Sequence, residues 1–540
     1  MGKRRRSGWC SGIPCQRRRA RMKRPNILLI MTDQQRADHV GFGGNTMVRT
    51  PNIDAIAARG TVFDRAYVAN PICMPNRATL MTGRMPTDHG VRFNGVSLDW
   101  GANTYARVAR EGGYRTAMIG KSHLQIMNDA HGVIRQIFGD DPPADAARVG
   151  WPDGWDDYER MERWRAEALE LPEDFYGFDH NRLTVFHSDL CSGHYYQWLK
   201  DKGADPAAIQ GRAVSLHSDT GTQQVWQTAM PEELYPTTFV EEEAIAFLKD
   251  GADSADPFLL KVSFPDPHHP FTPPGRYWDM YDPADMELPR TFHDTHEHSL
   301  PSFKAIVEQR GDRPGLMMPF SPTEEQYRRM AAAEYGMITM IDDSVGRIVE
   351  TLRATGQEKD TIIVFTSDHG DMFGDHGLML KVAMHYEACI RVPLAMAGPG
   401  IAAGRTDSLA SSLDLCPTLI ELMGLRPYYG IAGRDLGPIL SDGSTTVRDF
   451  ALIEEEQMFP DPATSQLIDM RSVVTDRARL TVHHGDPSVG ELYDLANDPD
   501  ELRNLWDEPS AATLRADMTE RLIDAMIGET RPGVKAKAQA

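Results

Sequence analysis

The sequence predicts an α/β fold, a layered sheet flanked by helices, and three observations predict it. Short, mainly apolar runs recur along the chain, as buried strands do. A long stretch of helical periodicity precedes one of them. Four of the runs end at a charged or metal-capable side chain, namely Asp33, Lys121, His268 and Asp368. Open α/β sheets bind ligands beyond the carboxyl ends of their strands, so four such endings read as one active site.

The elements follow in order. Residues 26–32 (Asn-Ile-Leu-Leu-Ile-Met-Thr) form a buried strand that stops at Asp33. Gly113 to Ile119 leads into a second run that ends at Gly120-Lys121. Phe258 to Phe264 is a third, followed by the Pro- and His-rich loop Pro265 to Pro274. Thr361 to Thr366 is a fourth, ending in Ser367-Asp368-His369-Gly370. The long helix before it is capped by Ser321 or Thr323, has Pro322 in its first turn and stops at Gly356. Its apolar positions, among them Tyr327, Ile338, Val345 and Leu352, keep helical spacing. The stretch 125–235 has weak periodicity and many aromatic residues. It reads either as an insertion that shapes the pocket or as peripheral packing. Phe450 to Met458 and Met470 to His483 read as strands of a smaller unit, so the catalytic domain is drawn at 25–444 and a C-terminal subdomain at 445–540.

Composition bounds the function. The 540 residues are 41 % hydrophobic and 25 % charged, the balance of a globular protein with a large core. No apolar run approaches the length needed to span a bilayer. Six Cys are too few for a disulfide framework, and a reducing compartment is expected. The net charge of −21 argues against a nucleic-acid-binding surface. Residues 1–24 carry ten Lys or Arg and no acid, which leaves −31 on the remainder. This basic stretch reads as an arm for nucleic acid or an anionic membrane, or as an untranslated, disordered leader with the true start at Met22, and the second reading is preferred because nothing packs it.

The richest stretch is Cys73-Met74-Pro75-Asn76-Arg77. Pro75 suits the first turn of a helix running toward Gly83, which puts Cys73 at an N-terminus that favours an anion. Arg77, one turn on, is placed to pair with Cys73 and with a tetrahedral oxyanion. A lone Cys is more often an inert buried thiol. Asp33, Asp368 and His369 suit a divalent cation, and singly each is also explained as a strand end or turn. Lys121 does not belong to a phosphate-binding loop, because that motif needs a Gly where Arg115 stands. His293, Asp294, His296, Glu297 and His298 could ligate a second metal, but a solvated polar loop is the preferred reading.

The spacing Cys-x-Pro-x-Arg resembles the sulfatase family. The resemblance continues through Arg24 to Gln34, Thr50 to Gly60, Gly112 to His123, Pro267 to Phe271, Ser367 to Asp371 with Lys381, and Glu491 to Leu505, six motifs in order across about residues 24–510. It implies an alkaline-phosphatase-like, mostly parallel sheet flanked by helices, and a C-terminal subdomain with a short antiparallel sheet. It implies that Cys73 is oxidised to formylglycine, whose hydrate attacks sulfur or phosphorus and then collapses to expel the product. One divalent ion is implied, Ca²⁺ first and Mn²⁺ or Mg²⁺ after it, held by Asp33, Gln34, residue 73, Asp368 and His369. Arg77, Lys121 and Lys381 would neutralise the transferred group, His123 would orient the formylglycine hydroxyl, and His268 would assist the leaving oxygen. Of the adjacent His268 and His269, one is expected to face the site. Asn94 resembles a substrate-facing Asn of the related phosphonate hydrolases.

Three residues depart from the common pattern: Asn76 where Ser or Ala is usual, Gln34 where many members have Asp, and His369 where many have Asn. The last two resemble the branch of choline sulfatases and phosphonate monoester hydrolases, which implies a cytoplasmic homo-oligomer. The expected activity is hydrolysis of sulfate monoesters, with phosphonate monoesters or phosphodiesters as the alternative at the same site. The expected partners are a small sulfate or phosphonate ester and a formylglycine-generating enzyme, without nucleic acid or membrane. A non-catalytic binding protein of the same fold is the third reading, and intact Cys73, Arg77, Lys121, His123 and Asp368 speak against it.

Overall fold

The computed structural model describes residues 24–128, 135, 139, 150–311, 317–443, 445–460, 467–486 and 488–537. The basic stretch 1–24 therefore lies outside the described residues except for Arg24, as does much of the beginning of the 125–235 stretch.

A nine-stranded sheet in the order β10-β2-β9-β8-β1-β7-β4-β5-β6 carries the fold. Its centre is β8 (Thr361–Ser367), β1 (Asn26–Thr32), β7 (Phe258–Ser263), β4 (Arg115–Lys121) and β5 (His180–Val185), five neighbours that all run parallel. Flanking them are β2 (Thr61–Phe63), β6 (Ser192–Gly193), β9 (Leu394–Ala397) and β10 (Gly404–Thr406). Antiparallel pairs β8–β9, β2–β9 and β5–β6 terminate the parallel run on both sides. Two of the nine strands, β5 and β6, come from the 125–235 stretch, which the sequence reading left without strands. A small parallel pair joins β3 (Ala66–Tyr67) to β11 (Ala410–Ser411).

The alternation along β1 shows why the strand is apolar throughout. Ile27, Leu29 and Met31 enter one core, and Leu28 and Ile30 enter the other. The first core holds the helices Cys73–Thr82, Tyr105–Glu111 and Leu415–Leu422. The second holds Pro236–Asp250 and the 31-residue helix Glu324–Ala354. Each fully buried aliphatic side chain there contributes about 1.5–3 kcal/mol. Thr323 caps the long helix in a reciprocal capping box with Gln326, a device that stabilises by about 1 kcal/mol. Pro322 stands before that cap rather than in the first turn, and Gly356, at φ +72°, lies just past the end.

The C-terminal unit is an antiparallel meander of β12 (Ala451–Pro460), β13 (Leu467–Val474), β14 (Ala478–His483) and β15 (Gly490–Asp494). The run Met470–His483 is thus two strands, because the turn at Asp476-Arg477 interrupts it. Helix Ala512–Glu529 packs Met518, Leu522 and Ala525 onto this sheet. Buried Arg448 ties the unit to the main domain by donating to Asp414 at 2.8 Å and to Glu529 at 2.9 Å. No helix among the described residues is long and apolar enough to cross a membrane.

Candidate active site

The five parallel strands deliver their next residues to one place. β1 gives Asp33, β8 gives Asp368 and His369, β4 ends in Lys121, the turn after β7 leads to His268, and the turn after β5 leads to His187. All are buried.

Cys73 is the first residue of the Cys73–Thr82 helix, and Gly83 ends that helix at φ +61°. Its Sγ lies 3.1 Å from His369 Nε2 and 4.0 Å from Asp33 Oδ1. Burial, the largest influence, pushes the Cys73 thiol up, while Lys381 and Lys121 pull it down. Asn76 locks the helix in place. Its amide donates to the Asp368 carbonyl, and its oxygen accepts from Ala69 N at 3.2 Å and Ser412 Oγ at 2.6 Å.

Arg77 departs from its expected role. It donates to Asp368 Oδ2 at 2.7 Å, Asp33 Oδ2 at 3.2 Å, Ser263 Oγ at 3.0 Å and the Lys121 carbonyl at 2.8 Å. Four of its five N–H groups are thereby committed to the protein, so Arg77 positions the two carboxylates more than it reaches for an anion. Burial, the largest single influence, opposes ionisation of the Asp368 carboxyl, but Arg77, His369, Lys121 and the Gln34 N–H together outweigh it and hold the carboxyl well below the usual carboxylate range.

These residues fit a metal. One oxygen each of Asp33 and Asp368, the Cys73 sulfur and a His369 nitrogen lie within 4.8 Å of one another. His369 Nδ1 donates to the Gly370 carbonyl at 2.8 Å, which fixes the proton there and leaves the Nε2 lone pair facing Cys73 and Asp33. Burial lowers the His369 imidazole to about 4, so at neutral pH it is an uncharged ligand. Gln34, at φ +64°, is less free than expected. Its N–H donates to Asp368 at 3.0 Å, its oxygen accepts from Lys381 Nζ, and its amide nitrogen meets His269 Nδ1 at 3.0 Å.

Across from this nest lie the cations. Lys121 Nζ donates to Asp33 Oδ2 and approaches His187 Nδ1 at 3.2 Å. Lys381 Nζ lies 3.1 Å from His268 Nε2. Leu380, Val382 and Ala383 around Lys381 all have positive φ (72°, 96° and 57°), a conformation that costs a non-glycine residue about 1–3 kcal/mol. The C-terminal sheet holds this strained loop, since Glu455 on β12 accepts from Ala383 N at 2.8 Å and pairs with buried His385 at 3.2 Å. His123 is buried among Lys121, Arg77 and Lys381, its imidazole is driven well down by burial and by those cations, and its Nδ1 has no hydrogen-bond partner among the described residues. Glu159 accepts from the backbone N–H groups of His123, Leu124 and Gln125 at 2.6–3.2 Å and so shapes that turn. Asn94 is exposed above the nucleophile helix, and its oxygen accepts from Met74 N at 3.1 Å.

The structure therefore gathers Asp33, Gln34, Cys73, Arg77, Lys121, His123, His268, Asp368, His369 and Lys381, with Asn94 at the rim. Of the adjacent pair, of which at most one was expected to face the site, His268 meets Lys381 through Nε2, while His269 meets the Gln34 amide through Nδ1; both are buried. Sequence reasoning missed His187, Glu159 and Glu455. The signal for His187 was the short run Leu183-Thr184-Val185 ending in Phe-His-Ser, masked by its aromatic-rich surroundings. The expected alternative metal cluster at 293–298 does not form among the described residues. Asp294 instead pairs with His376 at 2.8 Å, and His296 bonds the His376 carbonyl at 2.6 Å.

Comparison with known proteins places this geometry. A family model described as sulfatase matches residues 25–425, and one described as N-sulphoglucosamine sulphohydrolase, C-terminal, matches 374–527. The chain is 30 % identical to an arylsulfatase of Clostridium perfringens over 490 residues, covering 89 % of this chain and 90 % of that protein. It is 29 % identical to a choline-sulfatase of Rhizobium meliloti over 509 residues, 92 % of this chain and 85 % of that one. Its fold matches the crystal structure of a phosphonate monoester hydrolase of Agrobacterium radiobacter with a TM-score of 0.73 and 28 % identity, covering 94 % of this chain and 96 % of the other.

Proposed function

Because this chain belongs to the sulfatase family, we propose that it hydrolyses sulfate monoesters with a formylglycine made from Cys73 and one divalent cation. The observation that carries the proposal is Cys73 at the head of a buried helix, 3.1 Å from His369 and facing Asp33 and Asp368.

Asp33, Asp368 and His369, with the side chain of residue 73, would hold the ion. Ca²⁺ is our first choice and Mn²⁺ or Mg²⁺ the alternatives. When bound, the ion supplies Lewis acidity toward the nucleophile and a sulfate oxygen. The hydrate of the aldehyde supplies a nucleophilic hydroxyl and a second hydroxyl whose proton loss releases sulfate. Arg77 holds both carboxylates in register. Lys121 and Lys381 receive the oxygens of the transferred group, where burial makes their charge count for more than it would in water. His123, uncharged at neutral pH and with a free Nδ1, takes the proton of the second hydroxyl. His268 has Nδ1 donating to the His269 carbonyl at 2.5 Å, so its Nε2 faces Lys381 and the leaving-group side.

A second reading, hydrolysis of phosphonate monoesters at the same site, is favoured by the Gln34 and His369 pair and by the likeness to the phosphonate monoester hydrolase. The maturation partner is a formylglycine-generating enzyme. A cytoplasmic homo-oligomer is the setting we propose, after the branch that Gln34 and His369 resemble.

Mass spectrometry of the Cys73 peptide tests the nucleophile, since conversion of the thiol to the aldehyde removes about 18 Da. We expect that loss after expression with a maturation system, together with loss of activity in Cys73→Ala. An unmodified thiol in an active enzyme would overturn the proposal. Turnover of an aryl sulfate beside a phenyl phosphonate separates the two substrates, and a strong preference for the phosphorus ester would replace the first reading by the second.

A further inference from the structure

His187 belongs to no motif of the sequence reading, yet it stands where the fifth parallel strand ends. β5 pairs with β4 in a register that sets Lys121 against Thr184, three residues before His187. The turn that follows is strained and anchored. Phe186 and Ser188, on either side of His187, have φ of 81° and 50°, unusual for non-glycine residues. Ser188 Oγ lies 2.9 Å from the His268 carbonyl and 2.6 Å from that of Pro270, which ties this turn to the His268 loop. Asp189 accepts from Trp226 Nε1 at 2.9 Å and Thr228 Oγ1 at 2.8 Å. Such strain in a pinned turn points to a required side-chain position.

We propose that His187 is a positioning residue that seats the Lys121 ammonium and braces the ring of His268. His187 Nδ1 lies 3.2 Å from Lys121 Nζ. An ammonium offers only hydrogens, so Nδ1 accepts and the ring proton sits on Nε2. The ring lies flat on that of His268, with centroids 3.6 Å apart and planes inclined by 16°. His268 in turn donates from Nδ1 and meets Lys381 at Nε2. The two stacked neutral rings therefore each accept from one lysine and hold the two ammonium groups apart. Without the His187 acceptor, the Lys121 ammonium, which already donates to Asp33 Oδ2, keeps that carboxylate as its one side-chain partner among the described residues and is committed to it alone. The anion then loses one of its two lysines, and Asp33 loses charge toward the metal.

The proposal rests on the reading of Lys121 as a sulfate ligand, so its test measures sulfate without turnover. Calorimetric affinity of the metal-loaded enzyme for inorganic sulfate is compared with kcat/KM on an aryl sulfate. His187→Phe keeps the stack and removes the acceptor, whereas His187→Asn puts an amide oxygen near the place of Nδ1. His187→Phe should lose ~10- to 100-fold in sulfate affinity and in kcat/KM, the range typical of lost outer-shell partners. His187→Asn should recover most of the sulfate affinity. In a Lys121→Met background, His187→Phe should add little further loss, because the two act as one unit. Wild-type sulfate affinity in His187→Phe would overturn the proposal, as would full additivity with Lys121→Met. Should His187→Phe not fold, His187→Asn decides alone: a sulfate affinity as weak as that of Lys121→Met overturns the proposal. Absence of ester turnover with normal sulfate binding would count against the sulfatase reading and leave the His187 measurement intact.

Discussion

Two polar concavities of this molecule hold dense charge, and they differ in how that charge is used. One is a cleft of about 590 Å³ between the main domain and the loops after β15. Its walls carry four arginines (Arg36, Arg65, Arg290, Arg391) against six carboxylates (Asp38, Glu287, Asp375, Glu387, Asp500, Glu501). Most of these neutralise one another: Arg36 pairs with Asp38 at 2.8 Å and Asp375 at 2.5 Å, Arg391 with Glu387 at 3.3 Å, and Arg290 with Asp500 at 2.6 Å. The site at the strand ends is tighter and has the opposite balance, with Arg77, Lys121 and Lys381 against Asp33 and Asp368. A divalent ion would raise that excess further. The comparison teaches that the sign of the buried balance, rather than the density of charge, marks the anion site: Arg77 and Lys121 pair with Asp33 and Asp368, whereas Lys381 meets only the uncharged Gln34 and His268 among its hydrogen-bond partners in the described residues.

The largest effect should come from breaking the carboxylate core. Asp368 accepts from Arg77 and from Gln34 N, and in our reading it ligates the metal. Asp368→Ala leaves Arg77 buried without its closest partner, a loss of about 3–5 kcal/mol of stability. Chemical denaturation should show that loss, and elemental analysis should show metal falling from one ion per chain to near none. Retention of a full equivalent of metal would move the metal site elsewhere.

Next in size is the separation of the two concavities by an anion. Lys381→Met should weaken inorganic sulfate binding at least ~10-fold, about 1.4 kcal/mol for a lost buried ion contact. Arg391→Met, in the cleft beside the loops after β15, should leave it unchanged. Equal losses in the two variants would show that the cleft, not the strand ends, binds the anion.

A smaller effect concerns the turn that carries His187. Burial raises the Asp189 carboxyl to about 6, above its ordinary 3.8. The folded state therefore holds its proton more tightly than the unfolded chain does. That contribution to stability is full below about pH 4 and is lost as pH rises toward 6. Wild type should lose up to roughly 3 kcal/mol over this window through Asp189. Asp189→Asn should flatten that part of the stability profile, and an unchanged slope would mean that Asp189 is ionised in the fold.

The fold was legible where the signal is one-dimensional. Strands β1, β7 and β8 are dominated by apolar residues, with Lys261 the one charge among them, so their ends, and Asp33, His268 and Asp368 with them, could be read from the chain. The Cys73 helix was legible from Pro75 and Gly83. The fifth strand was not, because β5 begins with His180, Asn181 and Arg182 near the sheet edge, where alternation is diluted by polar residues. His187 went unread for that reason. Arg77 shows a different limit. Its identity was plain, but its commitment to Asp33, Asp368, Ser263 and the Lys121 carbonyl depends on four strands arriving at one point. Glu455 shows a third limit: it supports Lys381 from a sheet more than 70 residues away in sequence, and no local pattern announces such a contact.

The smallest expected effect is the one most able to break the comparison. Arg290 is 81 % exposed and pairs with Asp500 on the wall of the cleft beside the loops after β15. An ion pair so open to water is worth at most about 1 kcal/mol, and salt screens it further. Arg290→Ala should therefore leave thermal stability, metal content and sulfate affinity essentially as they are. The cleft does touch the catalytic loop by way of the chain itself, since Asp375 and His376 line it and Lys381 follows five residues later. Between them, Asp371 fastens the loop by accepting from Phe373 N at 2.7 Å and Leu380 N at 2.9 Å. If that fastening isolates Lys381 from the cleft, the Arg290→Ala enzyme behaves as wild type. A several-fold change in sulfate affinity would mean that charge in the cleft is transmitted through Asp375 to Lys381, and the two concavities would then have to be treated as one electrostatic unit.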